Sequence, residues 1–287
     1  MSFSVIADSC CDLTAPMRSG AAFHIVPLTI HVGDHAFVDN DSLRQKELLH
    51  AMAQCPDAPH TACPSPADYL DAYEACEGDI YVITLTAVLS GSHNCARQAA
   101  MMFLEEHPER NIYVFNSCSA SAGEVLLALK IQELAASGAS FHEVVRRGDA
   151  FIKEMNTLFI LETLDNLRKN GRLTKAQAAL TGTLKIKLLM GATPEGEICK
   201  RGQALTMKQA LGKMIELIEK DPARSDRTDA SARSARVISA SAAADGEVGG
   251  GNPTSSEEDA RDAAEAALSM DVDISTAVGD ASAGSER

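Results

Sequence analysis

Short apolar runs alternate with longer amphipathic stretches through the first half of the chain. The apolar runs over residues 4–7, 80–85 and 112–115, and the alternating pattern over 24–32, have the length and spacing of β-strands. Strands that alternate with helices are typical of a parallel α/β sheet with right-handed connections. Apolar residues at helical spacing lie between the strands and predict four helices. These helices cover residues 42–55, begin at residue 66, cover residues 92–103, and end at residue 136.

Two helix starts are predicted from capping residues. Ser42 is a candidate N-cap for the helix over 42–55. Ser65 precedes Pro66, which suits a first helical turn, and Asp68 completes a Ser-x-x-Asp pattern similar to a capping box. The preceding segment, Thr61-Ala-Cys-Pro-Ser65, is predicted to be a loop.

The second half of the chain also alternates strand and helix patterns. A short helix within residues 164–173 is predicted to end at Gly171, because glycine adopts the backbone conformation that closes helices. The remaining predicted elements are a strand within 154–161, a helix over 174–180, a strand over 185–190 and an amphipathic helix over 207–219.

We predict an α/β fold of two domains. An N-terminal parallel-sheet domain over 1–150 carries the loops of Thr61 and Ser90, and a C-terminal α/β domain with a mixed sheet covers 151–287. The composition of 223–287 is atypical, rich in Ala, Ser and Gly. It is compatible with a weakly folding or disordered tail, or with a β-α-β unit of small side chains, and we place no site there. That unit would comprise a strand over 236–240, a helix over 257–267 and a strand over 271–274.

Composition excludes several classes of protein. The formal net charge of −14 disfavours nucleic-acid binding, which requires basic surface. No apolar run reaches the roughly 20 residues of a membrane span, and the start of the chain has no basic region typical of a signal peptide. The eight cysteines include no Cys-x-x-Cys pair, so we expect reduced thiols, no metal site and a cytoplasmic protein.

The most informative segment is the strand, loop and helix start over residues 80–96. Such a junction carries unpaired backbone N–H groups and the positive end of a helix dipole, which together favour an anion. Gly91 lets the backbone approach a ligand, and Thr61 belongs to a second hydroxyl loop at the same predicted sheet edge. A plain N-cap explains Ser90 without any function. No nucleotide motif occurs, and Ser90 with His93 lacks an evident third group for hydrolysis.

Five segments in order resemble the DegV family of bacterial fatty-acid-binding proteins. Asp8-Ser-Cys-Cys-Asp-Leu13 is similar to the family's Asp-Ser-x-x-Asp-Leu, and Leu89-Ser-Gly-Ser92 is similar to its Leu-Ser-Gly-Thr. The other three are Thr61-Ala-Cys-Pro-Ser65, Asn116-Ser-Cys-Ser-Ala-Ser121 and the segment over 164–180. The resemblance extends over about residues 5–211.

The resemblance implies a long-chain fatty acid bound between two α/β domains, as a ligand and not a cofactor. By this resemblance Thr61 and Ser90 hold the carboxylate, with the Gly91 backbone as a neighbour, and Arg172 lies near the pocket mouth or a partner surface. The chain would have no catalytic residues of its own. It would present the carboxylate to a separate ATP-dependent fatty acid kinase, giving an acyl phosphate for phospholipid synthesis. A monomer with transient membrane contact fits this interpretation.

The sequence departs from the family pattern in three places. Asn170 replaces a common glycine, and Leu188 follows Lys187 where the family has proline. No histidine follows Val278-Gly279, so a family histidine near the carboxylate is not assigned. Two other functions stay open: a serine-dependent hydrolase of a small ester using Ser90, and a carrier or sensor of another apolar carboxylate.

Overall fold

The computed structural model describes residues 2–14, 17, 23–161, 163–173 and 186–221, and the backbone of 238–241. These residues form three sheets and seven helices. The strands are β1 (Phe3–Asp8), β2 (Phe23–Val26), β3 (Thr29–Val32), β4 (His35–Val38), β5 (His60–Ala62), β6 (Asp79–Thr84), β7 (Ile112–Asn116), β8 (Leu158–Leu161), β9 (Lys187–Ala192), β10 (Ile198–Ala204) and β11 (Ile238–Ser241). The helices are α1 (Gln45–Gln54), α2 (Pro66–Glu74), α3 (Ser92–Glu106), α4 (Ala122–Ala136), α5 (Phe141–Glu154), α6 (Asp165–Lys169) and α7 (Met207–Glu219).

The first sheet is parallel throughout, in the order β2-β1-β6-β7. Strands β1 and β6 are nearly continuous apolar runs because helices cover both faces of the sheet. Successive side chains of each strand point to opposite faces of the sheet and therefore belong to different hydrophobic cores. Ile6 and Val82 pack with helices α2 and α3 on one face, whereas Val5 and Ile83 pack with α4 and α5 on the other. The predicted parallel α/β sheet is therefore confirmed.

The predicted strand over 24–32 is wrong as a single element. It is two strands in different sheets: β2 ends at Val26, and β3 begins at Thr29 in the antiparallel sheet β4-β3-β5. Pro27 lies between them and has no N–H to donate to a sheet ladder. The Leu28 amide then donates to Ser9 Oγ at 3.0 Å, which redirects the chain. The third strand of this sheet, β5, includes Thr61 and Ala62, which the sequence predicts as loop.

The start predicted for α1 is also wrong, whereas that of α2 is confirmed. Helix α1 begins at Gln45 after Arg44, and Ser42 instead donates its hydroxyl and its amide to Asn40 Oδ1 at 2.6 and 2.9 Å. Asparagine favours such local turns, which compete with a helix start. For α2, the reciprocal capping box of Ser65 and Asp68 is present.

The second sheet is mixed, in the order β10-β9-β8-β11. Strand β8 pairs antiparallel with β9 and parallel with β11, and β9 pairs antiparallel with β10. Helix α7 covers this sheet through Ala210 and Met214, which pack with Ile160 and Leu189. The fold is thus the predicted two-domain α/β arrangement, while the boundary between residues 150 and 151 stays a prediction. The elements predicted over 174–180, 257–267 and 271–274 lie outside the described residues.

Candidate functional site

A cavity of about 1050 Å³ lies between the carboxyl ends of the first sheet's strands and the second sheet. Ligands of parallel α/β sheets bind at this edge. All four residues selected from the sequence, Thr61, Ser90, Gly91 and Arg172, line this cavity. Most of the remaining wall is apolar, and it includes Leu28, Leu48, Met52, Leu158, Phe159 and Ile198.

The hydroxyl of Ser90 is held with its proton free to donate. Ser90 follows a turn after β6, in which its amide donates to the Thr86 carbonyl at 3.3 Å. The Ser92 amide, at the first residue of α3, donates to Ser90 Oγ at 3.2 Å. Among the described residues no acceptor takes the Ser90 proton. A serine whose oxygen already accepts from an amide is suited to donate to a carboxylate.

Thr61 approaches the same cavity from the three-stranded sheet. Its backbone pairs with Ile30, and its side chain is exposed, with no hydrogen bond to any residue that the structure describes. A Cβ placed on Gly91 would lie 3.1 Å from Cys63 Sγ, so the segments that carry Thr61 and Ser90 are in contact. Glycine at position 91 permits this close approach.

Arg172 reaches the cavity from the turn that ends α6. Gly171 has a φ of +68°, and the Arg172 amide donates to the Leu167 carbonyl at 2.9 Å, as in a Schellman motif. The predicted helix end at Gly171 is therefore confirmed. The Asn170 side chain donates to the Pro59 carbonyl at 2.8 Å, which attaches this turn to the segment before Thr61. The family departure at Asn170 thus makes a tertiary contact.

A pair of buried carboxyl groups lies beneath the Ser90 loop, and sequence reasoning did not identify it as a pair. Asp8, at the end of β1, and Glu124, in the first turn of α4, are both fully buried. Burial raises the pKa of Asp8, and burial together with the nearby Asp8 charge raises the pKa of Glu124 well above its usual value. Both shifts favour the protonated form of the carboxyl group, and the rise is the stronger at Glu124. The Ser-x-x-Glu spacing from Ser121 signals a helix start but not this burial.

His93 does not pair with Ser90. Its Nδ1 lies 3.3 Å from Thr84 Oγ1. Burial lowers the pKa of His93, and Arg97 adds to this effect. Among the described residues no carboxylate hydrogen-bonds to His93, so the arrangement of nucleophile, base and orienting group needed for hydrolysis is not formed there.

One group of possible metal ligands lies among the described residues. Glu74, Glu106 and His107 lie close enough to share an ion, but His107 already pairs with Glu74 at 3.1 Å at the end of α3 remote from Ser92. Within the same residues no helix has the length and apolar character needed to cross a bilayer.

Comparison with known proteins gives a family that agrees with the sequence motifs. The model of the DegV family matches residues 2–247. This chain belongs to the DegV family. DegV domain-containing proteins of Streptococcus pneumoniae and Streptococcus gordonii are 41% and 38% identical to it over 223 and 222 residues. These alignments cover 75% and 77% of this chain and 79% of each relative.

Solved structures of DegV proteins share the fold and contain fatty acids. A DegV family protein from Ruminococcus gnavus, with vaccenic acid, is 45% identical with a TM-score of 0.73, over 77% of this chain and 79% of that one. The Streptococcus pneumoniae Fatty Acid Kinase (Fak) B3 protein, loaded with linoleic acid, is 38% identical with a TM-score of 0.71, over 76% and 79%. A Eubacterium eligens DegV protein loaded with heptadecanoic acid is 30% identical with a TM-score of 0.70, over 76% and 78%.

Proposed function

We propose that this DegV protein binds a long-chain fatty acid, with the acyl chain in the apolar cavity and the carboxylate at Thr61, Ser90 and Gly91. The observation that carries the proposal is the position of these residues at one wall of a largely apolar cavity. The fatty acids in the Ruminococcus gnavus, Eubacterium eligens and Streptococcus pneumoniae proteins support the same ligand class.

The acyl chain supplies most of the affinity in this proposal. Burying one methylene contributes about 0.8 kcal/mol, so about 14 buried methylenes contribute roughly 11 kcal/mol before the costs of binding. The cavity, at about 1050 Å³, is slightly larger than the range of roughly 300–1,000 Å³ for small-molecule sites. The head group therefore needs orientation more than additional binding energy.

The hydroxyl groups and the start of α3 supply that orientation. Ser90 has a free proton to donate, and Thr61 has a hydroxyl without a partner among the described residues. The N-terminus of α3 follows Gly91 directly, so its partial positive charge favours a carboxylate there. Neutral donors leave one carboxylate oxygen nucleophilic, whereas a tight ion pair would reduce its reactivity.

We propose further that a separate ATP-dependent kinase phosphorylates the bound acid. One carboxylate oxygen attacks the γ-phosphorus of ATP, the bond to the bridging oxygen breaks, and the products are the acyl phosphate and ADP. The similarity to the Fatty Acid Kinase B3 protein supports this role. Arg172, at the cavity wall, is our candidate for the contact with the kinase. The chain itself acts as a binding subunit without catalytic residues.

Native mass spectrometry of the protein purified from cells tests the ligand. We expect one long-chain fatty acid per chain, released on denaturation. A different apolar carboxylate in its place would show that the protein carries another ligand. A ligand-free chain that forms a covalent adduct at Ser90 with an activated serine probe would contradict the binding function and favour a serine-dependent hydrolase.

Substitution of the two hydroxyl residues tests the head-group site. Ser90→Ala and Thr61→Ala each remove a hydrogen bond to a charged group, worth about 1.5–3 kcal/mol, so fatty-acid affinity should fall about 10- to 100-fold. Acyl-phosphate formation with a fatty acid kinase and ATP, trapped as the hydroxamate, should fall as well. Ser137→Ala is the matched control, because Ser137 is exposed at the end of α4. Unchanged binding and phosphorylation in both variants would refute the site.

A further inference from the structure

We infer that Asp8 is the positioning residue for Ser90 and that Glu124 is the buried partner of Asp8. One carboxylate oxygen of Asp8 binds both ends of the segment that carries Ser90. This inference rests on the proposed function. Asp8 Oδ2 accepts from the Leu85 amide at 3.0 Å and from Ser92 Oγ at 2.5 Å. Leu85 follows β6 directly, and Ser92 begins α3. Both ends of the loop over residues 85–92 are thus hydrogen-bonded to the same atom, Asp8 Oδ2.

Ser92 transmits the position of Asp8 to Ser90. Its hydroxyl is bound to Asp8, while its amide donates to Ser90 Oγ at 3.2 Å. Tyr69 OH lies 2.6 Å from Ser92 Oγ and donates to it, since the Ser92 proton is already used. Asp8, Ser92 and Tyr69 are all fully buried, where a satisfied hydrogen-bond network holds a single geometry. The orientation of the Ser90 hydroxyl therefore depends on a carboxylate that does not line the cavity.

Glu124 completes the set of donors around Asp8. Glu124 Oε1 accepts from the Ser121 amide at 3.2 Å, while Oε2 has no donor among the described residues. Glu124 lies within hydrogen-bonding reach of Asp8, and a hydrogen bond between two carboxyl groups needs a proton on one of them, which we place on Glu124 Oε2. The Cys10 amide lies 3.1 Å from Oδ1, so Asp8 accepts from three amide and hydroxyl donors, and a proton on Glu124 would fill the fourth accepting position of an ionised carboxylate.

This geometry predicts which replacements the site tolerates. Asp8→Asn keeps the size of the side chain but leaves one accepting oxygen and no charge, so it cannot accept from both the Cys10 amide and the two ends of the loop, and the hydrogen bonds that it keeps are weaker. Glu124→Leu removes the donor to Asp8 and leaves a buried carboxylate short of one partner. Glu124→Gln keeps an N–H donor and should rescue much of what Glu124→Leu loses.

The experiment compares a fatty acid with the fatty alcohol of the same chain length, using delipidated protein and displacement of a fluorescent acyl probe. The alcohol reports acyl-chain binding and the acid reports the head group as well. We expect Asp8→Asn to weaken binding of the acid about tenfold and to leave that of the alcohol within about twofold. Glu124→Leu should act in the same direction, and Glu124→Gln should recover most of the loss.

A double-mutant cycle separates positioning from a general structural role. If Asp8 acts through Ser90, the variant with both Asp8→Asn and Ser90→Ala should bind the acid no more weakly than Ser90→Ala alone. Equal losses for the acid and the alcohol, additive losses in the cycle, or normal acid binding by Asp8→Asn would each overturn the inference. Should Asp8→Asn fail to fold, Ser92→Ala removes the same hydroxyl contact and enters the cycle in its place.

The outcomes also separate this inference from the proposed function. A wild-type protein that does not prefer the acid over the alcohol, or that binds neither, refutes the proposed carboxylate site itself. A loss of acid preference in Ser90→Ala but not in Asp8→Asn or Ser92→Ala refutes only the positioning role. Ser137→Ala should match the wild type in every measurement.

Discussion

Gly196 lies where the turn between β9 and β10 contacts the first sheet. Its φ is +87°, and a Cβ at this position would lie 2.1 Å from Thr86 Oγ1 and 2.9 Å from Cys118 Cα. Thr86 Oγ1 donates to the Gly196 carbonyl at 3.3 Å, and both residues line the cavity. The absence of a side chain at this one residue therefore lets the two sheets approach across the site.

Gly196→Ala should consequently reduce both stability and fatty-acid affinity. The left-handed backbone costs a non-glycine residue about 1–2 kcal/mol, and the clash with Thr86 adds to this cost. Gly138→Ala is the matched control: its φ is +82°, but nothing lies within 4 Å of its Cβ position. Urea unfolding should show a larger loss at Gly196, and only Gly196→Ala should weaken ligand binding. Equal effects of the two variants would contradict the close contact.

At the scale of elements, two serines cap their helices with different completeness. At α2, the Asp68 amide donates to Ser65 Oγ at 3.3 Å and the Ser65 amide donates to Asp68 Oδ2 at 2.8 Å. At α5, the Glu143 amide donates to Ser140 Oγ at 3.4 Å, but the Glu143 carboxylate is bound by Arg146 instead. Only the first cap is reciprocal.

The reciprocal cap should contribute more to stability. Ser65→Ala is expected to lower the free energy of unfolding by about 1 kcal/mol, the usual cost of losing a side-chain cap. Ser140→Ala should cost less, because it removes a single long hydrogen bond. Urea unfolding of the two variants gives the comparison directly. A larger loss for Ser140→Ala would show that the capping box is not the stronger cap.

The elements predicted from sequence are those whose signal is local. Buried strands such as β6, and α2 with its capping box, carry their patterns in adjacent residues. Strand β10 was not predicted because Ala204 is its one fully buried residue and polar residues interrupt any apolar run. The break at Pro27 was missed because the alternation continues on both sides of it, although the two halves belong to different sheets.

The residues of the candidate site also fall into those that the sequence predicts and those that it does not. The position of Ser90 and Gly91 at the cavity wall was predictable, because they follow a strand at the carboxyl edge of the parallel sheet. Thr61 reaches the same wall from strand β5 of the antiparallel sheet, which the sequence did not predict. The contact between Asp8 and Glu124 was not predictable. It joins residues from β1 and α4 that are far apart in sequence, and neither local pattern indicates that both carboxyl groups are buried together.

At the scale of the whole molecule, the buried acid pair makes stability depend on pH. Burial raises the pKa of Glu124 most, and the charges of Asp8 and Asp12 raise it further. A carboxyl group with a raised pKa in the folded state binds its proton more tightly there than in the unfolded chain. Its stabilising effect is therefore complete below its usual value of about 4.5 and is lost as pH rises towards the folded pKa.

Glu124→Gln should remove this pH dependence. The free energy of unfolding of the wild type, minus that of the variant, should fall between pH 5 and pH 8, with a slope of at most about 1.4 kcal/mol per pH unit. Most other ionisable groups cancel in this difference because both proteins contain them. The measurement is urea unfolding at several pH values in constant salt.

An exposed carboxylate provides the control of opposite sign. Arg146 lowers the pKa of Glu143 through a hydrogen bond, so its contribution is present at high pH and is lost as pH falls through its folded pKa. The free energy of unfolding of the wild type, minus that of Glu143→Gln, should therefore rise with pH. This difference should be small and should diminish in salt because the ion pair with Arg146 is exposed. A difference for Glu124→Gln that is flat or rises with pH would show that Glu124 is not protonated beneath the Ser90 loop.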